Sequence, residues 1–296
     1  MSAYPRAKII DLMRRERLPE SFEATVRKYY APLAADFAKR KTKLARTMIV
    51  GVNGPQGSGK STLAQFLALL LSSAYDMRVA VLSIDDFYLT KAERQKLAED
   101  VHPLLATRGA PGTHDVELGC SVMMSLVNAK PNDVTRIPRF DKLNDDRRPK
   151  DQWELYKGAP DIIIFEGWCV GVRPQPDGLL TEPVNDLERL EDASGVWRRL
   201  VNNAIADDYP ALFDLIDMLV YLKPPDFECV YNWRGRQEER LSEATSEPGV
   251  HAMGERELQR FIMHYERLTR FMMEDLPGHA DVVINIDEAQ QVVGVV

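Results

Sequence analysis

The chain has 296 residues, of which 45% are hydrophobic and 28% are charged, and its formal net charge is −7. These values are typical of a globular protein and exclude disordered and fibrous classes, while the acidic balance and the lack of a long basic block argue against a nucleic-acid partner. No stretch approaches the ~18 uninterrupted apolar residues of a membrane-spanning helix, and the N-terminus shows no signal core and carries acids that transit peptides lack. We therefore expect a cytoplasmic protein with no membrane partner, whose oligomeric state the sequence leaves open.

The first part of the chain is predicted to form two helices. Apolar residues recur near helical spacing over residues 6–17 and 20–43, and Pro32 is expected to kink the second helix. We interpret residues 1–46 as an N-terminal helical extension that precedes a larger domain over residues 47–296. The sequence does not decide whether the extension packs on that domain or on another subunit.

A glycine-rich loop opens the larger domain. A β-branched run leads into the pattern GxxxxGK[ST] from Gly54 to Ser61, and an amphipathic helix is predicted directly after it. Glycine lets the backbone curl its N–H groups around a phosphate, the ammonium of Lys60 would reach the β- and γ-phosphates, and the hydroxyl of Ser61 is the expected Mg²⁺ ligand. The loop predicts a nucleotide site formed by Gly54, Pro55, Gln56, Gly57, Ser58, Gly59, Lys60, Ser61 and Thr62.

Two buried strands are predicted to end in acids near this loop. The apolar run over residues 78–84 leads into Asp85 and Asp86, and the run over residues 161–167 contains Glu166, as in a Walker B element. Because ligands of open α/β sheets bind at the carboxyl ends of the strands, we expect these acids to face the phosphates. We assign catalysis to Asp85, which directly follows its strand, and Mg²⁺ binding to Glu166. Alternatively, Asp85 or Asp86 caps the N-terminus of a helix. The sequence also leaves open whether Asp86, rather than Asp85, is the base.

The remaining elements complete an α/β pattern. Residues 102–115 are rich in turn formers, and the polar residues 144–152 are predicted to be a mobile surface linker. Further helices are predicted over residues 90–100, 116–127, 185–213, 227–244 and 255–274, with Asp115 as an N-cap, and further strands over residues 217–223 and 281–286. The last strand is expected to close a central parallel sheet flanked by helices.

These features favour an ATP-dependent kinase that acts on a small molecule. Such an enzyme needs a base beside the acceptor hydroxyl and an acid for Mg²⁺, whereas a GTPase would show an NKxD-like base selector. The expected acceptor loops carry cations that a carboxylate substrate would pair, namely Arg108, His114, Arg139 and Lys142. Alternatively, these cations contact ATP or neighbouring acids instead of a substrate. For the function as a whole, the alternative from a different class is a nucleotide-dependent regulatory module.

Several motifs resemble the D-glycerate 3-kinase family. They lie at residues 54–62, 83–90, 108–115, 138–142, 165–168 and 201–234. The resemblance implies a P-loop NTPase/kinase fold with a five-stranded parallel core, transfer of the γ-phosphoryl group of ATP to the 3-hydroxyl of D-glycerate, and Asp85 as the general base. It also implies an acceptor site that includes Tyr88, and an arginine-rich lid over ATP near residues 234–240 that includes Arg234. Uridine kinases, phosphoribulokinases and pantothenate kinases share the loop and the strand-end acids. The alternative acceptor is therefore a nucleoside, a sugar phosphate or pantothenate.

Overall fold

A largely parallel sheet forms the centre of the protein, in a computed structural model that describes the backbone of residues 4–244 and 254–296 and the side chains of residues 4–236 and 254–296. The strands within this part of the chain are β1 (Met48–Asn53), β2 (Val79–Ser83), β3 (Val134–Ile137), β4 (Phe140–Asp141), β5 (Asp146–Arg147), β6 (Glu154–Lys157), β7 (Ile162–Gly167), β8 (Met218–Lys223), β9 (Val282–Ile286) and β10 (Val292–Val295). The central sheet has the order β10-β9-β8-β1-β7-β2, in which β10 alone is antiparallel to its neighbour. The expected five-stranded parallel core is confirmed.

Helices cover both faces of this sheet. They are α1 (Arg6–Arg15), α2 (Phe22–Thr25), α3 (Ala31–Lys41), α4 (Lys60–Tyr75), α5 (Lys91–Asp100), α6 (Val116–Val127), α7 (Asp186–Glu191), α8 (Val196–Asp207), α9 (Pro210–Phe213), α10 (Phe227–Ala244) and α11 (Glu255–Asp275). Every residue of β1 and β7 is buried, as expected for parallel strands packed on both sides. Among the described residues, none of the helices has the length and apolar character that crossing a membrane requires.

The N-terminal helices pack on the helix that follows the glycine loop. The rings of Phe22 and Tyr30 lie 5.4 and 6.2 Å from that of Phe66 on α4. Buried residues of α1 and α3 share one hydrophobic cluster with α4 and with one face of the sheet. The irregularity expected at Pro32 is a π-helical turn over Val26–Tyr30, which joins α2 to α3. This packing arrangement was left open by the sequence.

Two predicted segments have different boundaries in the structure. Residues 185–213 form α7, α8 and α9, because Gly195 has a positive φ of 72° before α8 and Pro210 begins α9. The strand at 281–286 does not close the fold, since the chain turns back and adds β10 at the edge of the sheet. Strand β10 has only four residues, and none of them is buried, so it shows no alternation of apolar and polar residues that would mark a strand.

Residues 144–147 complete a folded hairpin and residues 150–152 form a 3₁₀ turn, so the segment lies at the surface as predicted but is not a plain linker. Strand β5 pairs with β4, and Arg147 donates to the carboxylate of Asp115 at 3.0 Å and to the carbonyl of Tyr88 at 2.8 Å. Asp145 forms a salt bridge of 3.0 Å with the buried guanidinium of Arg94. These ion pairs hold the hairpin beside the end of β2, where the sequence predicts the acceptor site.

Candidate active site

The glycine loop joins β1 to α4 with the curled backbone that a phosphate site requires. Gly57 and Gly59 have positive φ values of 77° and 90°, and Gly59 is the N-cap residue of α4. A Cβ atom on Gly57 would lie 2.6 Å from the Cβ of Trp233, so only glycine fits against α10. The hydroxyl of Ser58 is buried in the loop and has no hydrogen-bond partner among the residues that the structure describes. A nucleotide phosphate at the positive end of α4 would give this hydroxyl a hydrogen-bond acceptor.

Lys60 and Ser61 begin α4 and turn toward the acid of β7. The ammonium of Lys60 donates to the carbonyl of Pro55 across the loop at 3.0 Å, and Ser61 Oγ donates to Glu166 Oε1 at 3.0 Å. Burial lowers the pKa of Lys60, against the opposing effect of Glu166 and Asp85, and burial raises the pKa of Glu166. Thr62 follows in the same turn of α4, and Gln56 lies in the turn of the loop. The charged groups of Lys60, Glu166 and Asp85 therefore lie close enough to interact.

Asp85 follows β2 in a short 3₁₀ turn and faces this cluster. Its carboxylate accepts hydrogen bonds from Lys142 Nζ at 2.6 Å and from the hydroxyl of Tyr88 at 3.0 Å. Burial by itself would raise the pKa of Asp85, but the cations of Lys142 and Lys60 lower it to about 2. The carboxylate is therefore ionised at neutral pH.

Asp86 has a different environment, although it is the next residue. Its carboxylate accepts from the backbone N–H of Phe140 at 3.0 Å and from Arg139 Nη1 at 2.6 Å, and Arg139 also binds Glu154. Asp86 thus ties the β4–β5 hairpin to the end of β2. No side-chain cap is present on the 3₁₀ turn, so the capping alternative is wrong for both aspartates.

The cations of the acceptor loops already have partners in the protein, contrary to the expectation that a substrate must pair them. Arg108 binds Asp145, Arg139 binds two acids, and Lys142 binds Asp85. His114 is not a cation, because burial lowers its pKa to about 4. The sequence could not show these pairs, since their members lie 15 to 57 residues apart along the chain.

Two aromatic residues hold the loop that carries Arg108, and neither was assigned to the site from the sequence. Trp168 Nε1 donates to the carbonyl of Gly109 at 3.0 Å, and the hydroxyl of Tyr265 donates to the carbonyl of Arg108 at 3.2 Å. Gly109 has a φ of 135°, and a Cβ atom there would lie 2.1 Å from the Tyr265 oxygen. Trp168 could have been found from the family motif at residues 165–168. Tyr265 shows in the sequence only as one of the regularly spaced apolar positions of its helix.

Helix α10 lies against the other side of the glycine loop. The indole of Trp233 donates to the carbonyl of Glu288 at 2.9 Å, and the side chain of Gln290 binds the carbonyl of Gly57. The guanidinium of Arg234 lies 5.3 Å from the centre of the Phe261 ring and interacts with Tyr265. The side chains of residues 237–240, which belong to the expected lid, lie outside the described residues.

A parallel sheet, a glycine loop that opens a helix, and acids at the ends of two neighbouring strands define a P-loop kinase. The chain is 37% identical over 231 residues to uncharacterized kinase mug58 of Schizosaccharomyces pombe, an alignment that spans 74% of this chain and 79% of that protein. It is 30% identical over 226 residues to the chloroplastic D-glycerate 3-kinase of Arabidopsis thaliana, which spans 74% of this chain and 46% of that protein.

The fold is also similar to that of a solved relative. The D-glycerate 3-kinase from Cryptococcus neoformans has a TM-score of 0.74 and 25% identity, with 92% of this chain and 99% of that chain covered. No family model matches the chain. The chain belongs to the D-glycerate 3-kinase family of P-loop kinases and is an ATP-dependent phosphotransferase.

Proposed function

We propose that the protein transfers the γ-phosphoryl group of ATP to the 3-hydroxyl of D-glycerate and forms 3-phosphoglycerate. The observation that carries the proposal is the ionised carboxylate of Asp85, which is close enough to interact both with Lys60 of the glycine loop and with His114 at the end of the loop of Arg108. Two relatives are named D-glycerate 3-kinases, which supports this acceptor over other small alcohols.

The nucleotide half of the proposed site uses the glycine loop and the end of β7. Backbone N–H groups of residues 54–61 and the ammonium of Lys60 bind the phosphates, and Arg234 closes over ATP from α10. Ser61 Oγ and the Glu166 carboxylate are hard oxygen donors 3.0 Å apart, which suits Mg²⁺ that shares its ligands with phosphate and water. The ion would neutralise charge on the β- and γ-phosphate oxygens. The residues present therefore fit both cofactors.

The acceptor half is formed by Asp85 and its neighbours. Asp85 orients the 3-hydroxyl and accepts its proton, and Tyr88 holds the carboxylate in place through its 3.0 Å hydrogen bond. A pKa near 2 makes Asp85 a weak base, which is sufficient because the transition state of phosphoryl transfer is loose and needs little activation of the nucleophile. Lys142, bound to Asp85, is placed to neutralise the transferred phosphoryl group.

The carboxylate of the acceptor is assigned to the cations of the neighbouring loops. Asp145, the partner of Arg108, also pairs with Arg94, so it keeps a cation when a substrate carboxylate takes its place at Arg108. Arg139 is held by Asp86 and Glu154 and contributes positive potential while it fixes the hairpin. A neutral nucleoside would make no use of these charges.

A coupled ADP-release assay tests this function. Purified protein is offered D-glycerate, L-glycerate, uridine, pantothenate and ribulose 5-phosphate in turn, with Lys60→Ala as the blank. We expect turnover with D-glycerate that exceeds turnover with every other acceptor. Turnover with uridine or pantothenate alone would refute the glycerate assignment, and tight ATP binding without any turnover would favour a regulatory module.

A further inference from the structure

His114 ends the loop of Arg108 and lies beside the proposed base. Its ring is stacked on that of Tyr88 with 4.4 Å between the ring centres, and His114 and Tyr88 form an isolated antiparallel bridge. The residue is 6% exposed, and its ring is close enough to Asp85 for the carboxylate to act on its pKa. His114 Nδ1 lies 2.5 Å from the hydroxyl oxygen of Tyr209 on the segment between α8 and α9.

The surroundings of Tyr209 decide which way this hydrogen bond runs. The Tyr209 side chain is fully buried, and burial raises its pKa well above the usual value, so the phenol keeps its proton. Its oxygen accepts the backbone N–H of Gly112 at 3.1 Å, and the backbone amide of His114 also acts on it. Because the lone pairs of the oxygen are engaged by amides, its own proton is directed at His114 Nδ1.

The tautomer of His114 follows from this hydrogen bond. A ring that accepts at Nδ1 and is neutral must carry its proton on Nε2. Burial lowers the pKa of His114 to about 4, so the neutral ring is the form present at neutral pH. His114 Nε2 is buried and has no hydrogen-bond partner in the part of the chain that the structure describes. A buried N–H donor beside the base is thus left without an acceptor, which is costly in a folded protein.

We propose that the neutral Nε2–H of His114 donates a hydrogen bond to an oxygen of the acceptor, and that Tyr209 is the positioning residue that fixes this tautomer. The group recognised is a hydrogen-bond acceptor oxygen of the substrate. The carboxylate or the 2-hydroxyl oxygen of a hydroxy acid is such an acceptor. A neutral donor suits this place, since an imidazolium would compete with Lys142 for Asp85. The inference rests on the proposed function for the identity of the acceptor only.

The tautomer itself can be measured without any acceptor. ¹⁵N NMR of the full-length protein, labelled at its five histidines, is recorded at neutral pH, and the His114 signals are assigned by their loss in His114→Gln. We expect a protonated Nε2 and an unprotonated Nδ1 for His114, and a mixture of tautomers in Tyr209→Phe. A protonated Nδ1, a charged ring or an unchanged tautomer in Tyr209→Phe would overturn the proposal.

Amide side chains separate the two ring nitrogens in the kinetic test. Glutamine places an N–H donor near the position of Nε2, whereas asparagine places one near the position of Nδ1. We expect KM for the acceptor to stay within about threefold of wild type in His114→Gln and to rise about tenfold in His114→Asn, which corresponds to the loss of one hydrogen bond, with kcat changed much less. Equal KM values for the two variants, or a loss confined to kcat, would refute the role.

A double-mutant cycle tests the part played by Tyr209. Tyr209→Phe should raise KM about fivefold in the wild-type background and leave it unchanged in the His114→Gln background, where no tautomer needs fixing. Structural damage would instead raise KM equally in both backgrounds and would contradict the positioning role. If D-glycerate is not turned over, the proposed function fails, but the NMR result still decides the tautomer of His114. The kinetic tests are then run with whichever acceptor of the ADP-release assay the protein phosphorylates.

Discussion

Neighbouring residues Asp85 and Asp86 have carboxylates with different partners. Asp85 is bound by the side chains of Lys142 and Tyr88 near the nucleotide loop, and Asp86 is bound by the backbone of Phe140 and the guanidinium of Arg139. The first arrangement leaves a carboxylate facing the proposed acceptor site, and the second anchors a hairpin. The two residues therefore provide a matched pair for mutation.

We predict that Asp85→Asn lowers kcat about 10²- to 10⁴-fold, the usual contribution of a general base, while the affinity for ATP is retained. Asp86→Asn should instead weaken acceptor binding and lower stability, because the hairpin loses an anchor. Steady-state kinetics with varied acceptor and fluorescence titration with ATP distinguish the two results. An unchanged kcat in Asp85→Asn would move the base to another residue.

Lys142 should govern the pH dependence of the reaction. With Lys142 present the pKa of Asp85 is about 2, so the wild-type kcat/KM should show no loss from protonation of Asp85 above about pH 4. In Lys142→Met burial remains and one opposing cation is removed, so the pKa of Asp85 rises and an acidic limb should move toward neutral pH.

The control for this pH profile is Lys96→Met. Lys96 is 77% exposed and pairs with Asp100 on α5, away from the site, so its removal should leave the profile unchanged. If the profiles of Lys142→Met and wild type coincide, Lys142 does not set the pKa of Asp85.

At the scale of elements, buried ion pairs join α7, α8 and α11. Glu188 on α7 is fully buried and binds Arg267 on α11 at 2.6 Å, and Arg198 on α8 binds Asp192 at 3.1 Å and lies 3.9 Å from Glu188. Arg267 also donates to the carbonyl of Glu182. Arg198 and Arg267 of this network line one cavity with Trp168, and Trp168 in turn holds the loop of Arg108.

We predict that Glu188→Ala lowers the free energy of unfolding by about 3–5 kcal/mol, because it leaves a buried guanidinium without its charge partner. Glu191→Ala is the matched control on the same helix, since Glu191 and its partner Arg260 are 44% and 47% exposed, and we expect a loss below about 1 kcal/mol. Urea unfolding followed by far-UV circular dichroism measures both. Equal losses would mean that the buried network does not hold α7 on α11.

At the scale of the whole molecule, the N-terminal helices are part of the main core. Ile9, Val26 and Phe37 are fully buried in the cluster that contains Phe66 of α4 and Val50 of β1. The helix that positions Lys60 and Ser61 is therefore covered on one side by residues that precede the glycine loop. We propose that the extension is needed for the kinase domain to fold.

Removal of residues 1–46 should abolish the cooperative unfolding transition of the remaining chain, because it exposes the apolar face of α4 to water. Arg6→Ala is the control, since it removes an exposed ion pair with Glu23 and should leave the transition near that of wild type. Urea unfolding and ATP binding of the truncated chain are the measurements. A truncated chain that unfolds cooperatively and binds ATP would show that residues 47–296 fold alone.

The sequence predicted much of the fold and the positions of several residues around the candidate site, whose roles stay predictions. The glycine loop, the parallel core and the acids Asp85 and Glu166 could be predicted because each depends on a local pattern and on the rule that parallel strands end at one edge. Helix boundaries were close where caps were clear, as for Asp115 before α6. The strand β10 and the hairpin at 140–147 were missed, since both are short and polar or exposed.

The sequence by itself determined the glycine loop at residues 54–61 and the acids at the ends of two neighbouring strands beside it. The tertiary structure alone decided which cation meets which acid, that His114 is buried, and that the hydroxyl of Tyr209, 95 positions further along the chain, lies 2.5 Å from its Nδ1. The physical reason is that charge state and hydrogen-bond direction depend on burial and on long-range contacts, which no local pattern of residues records.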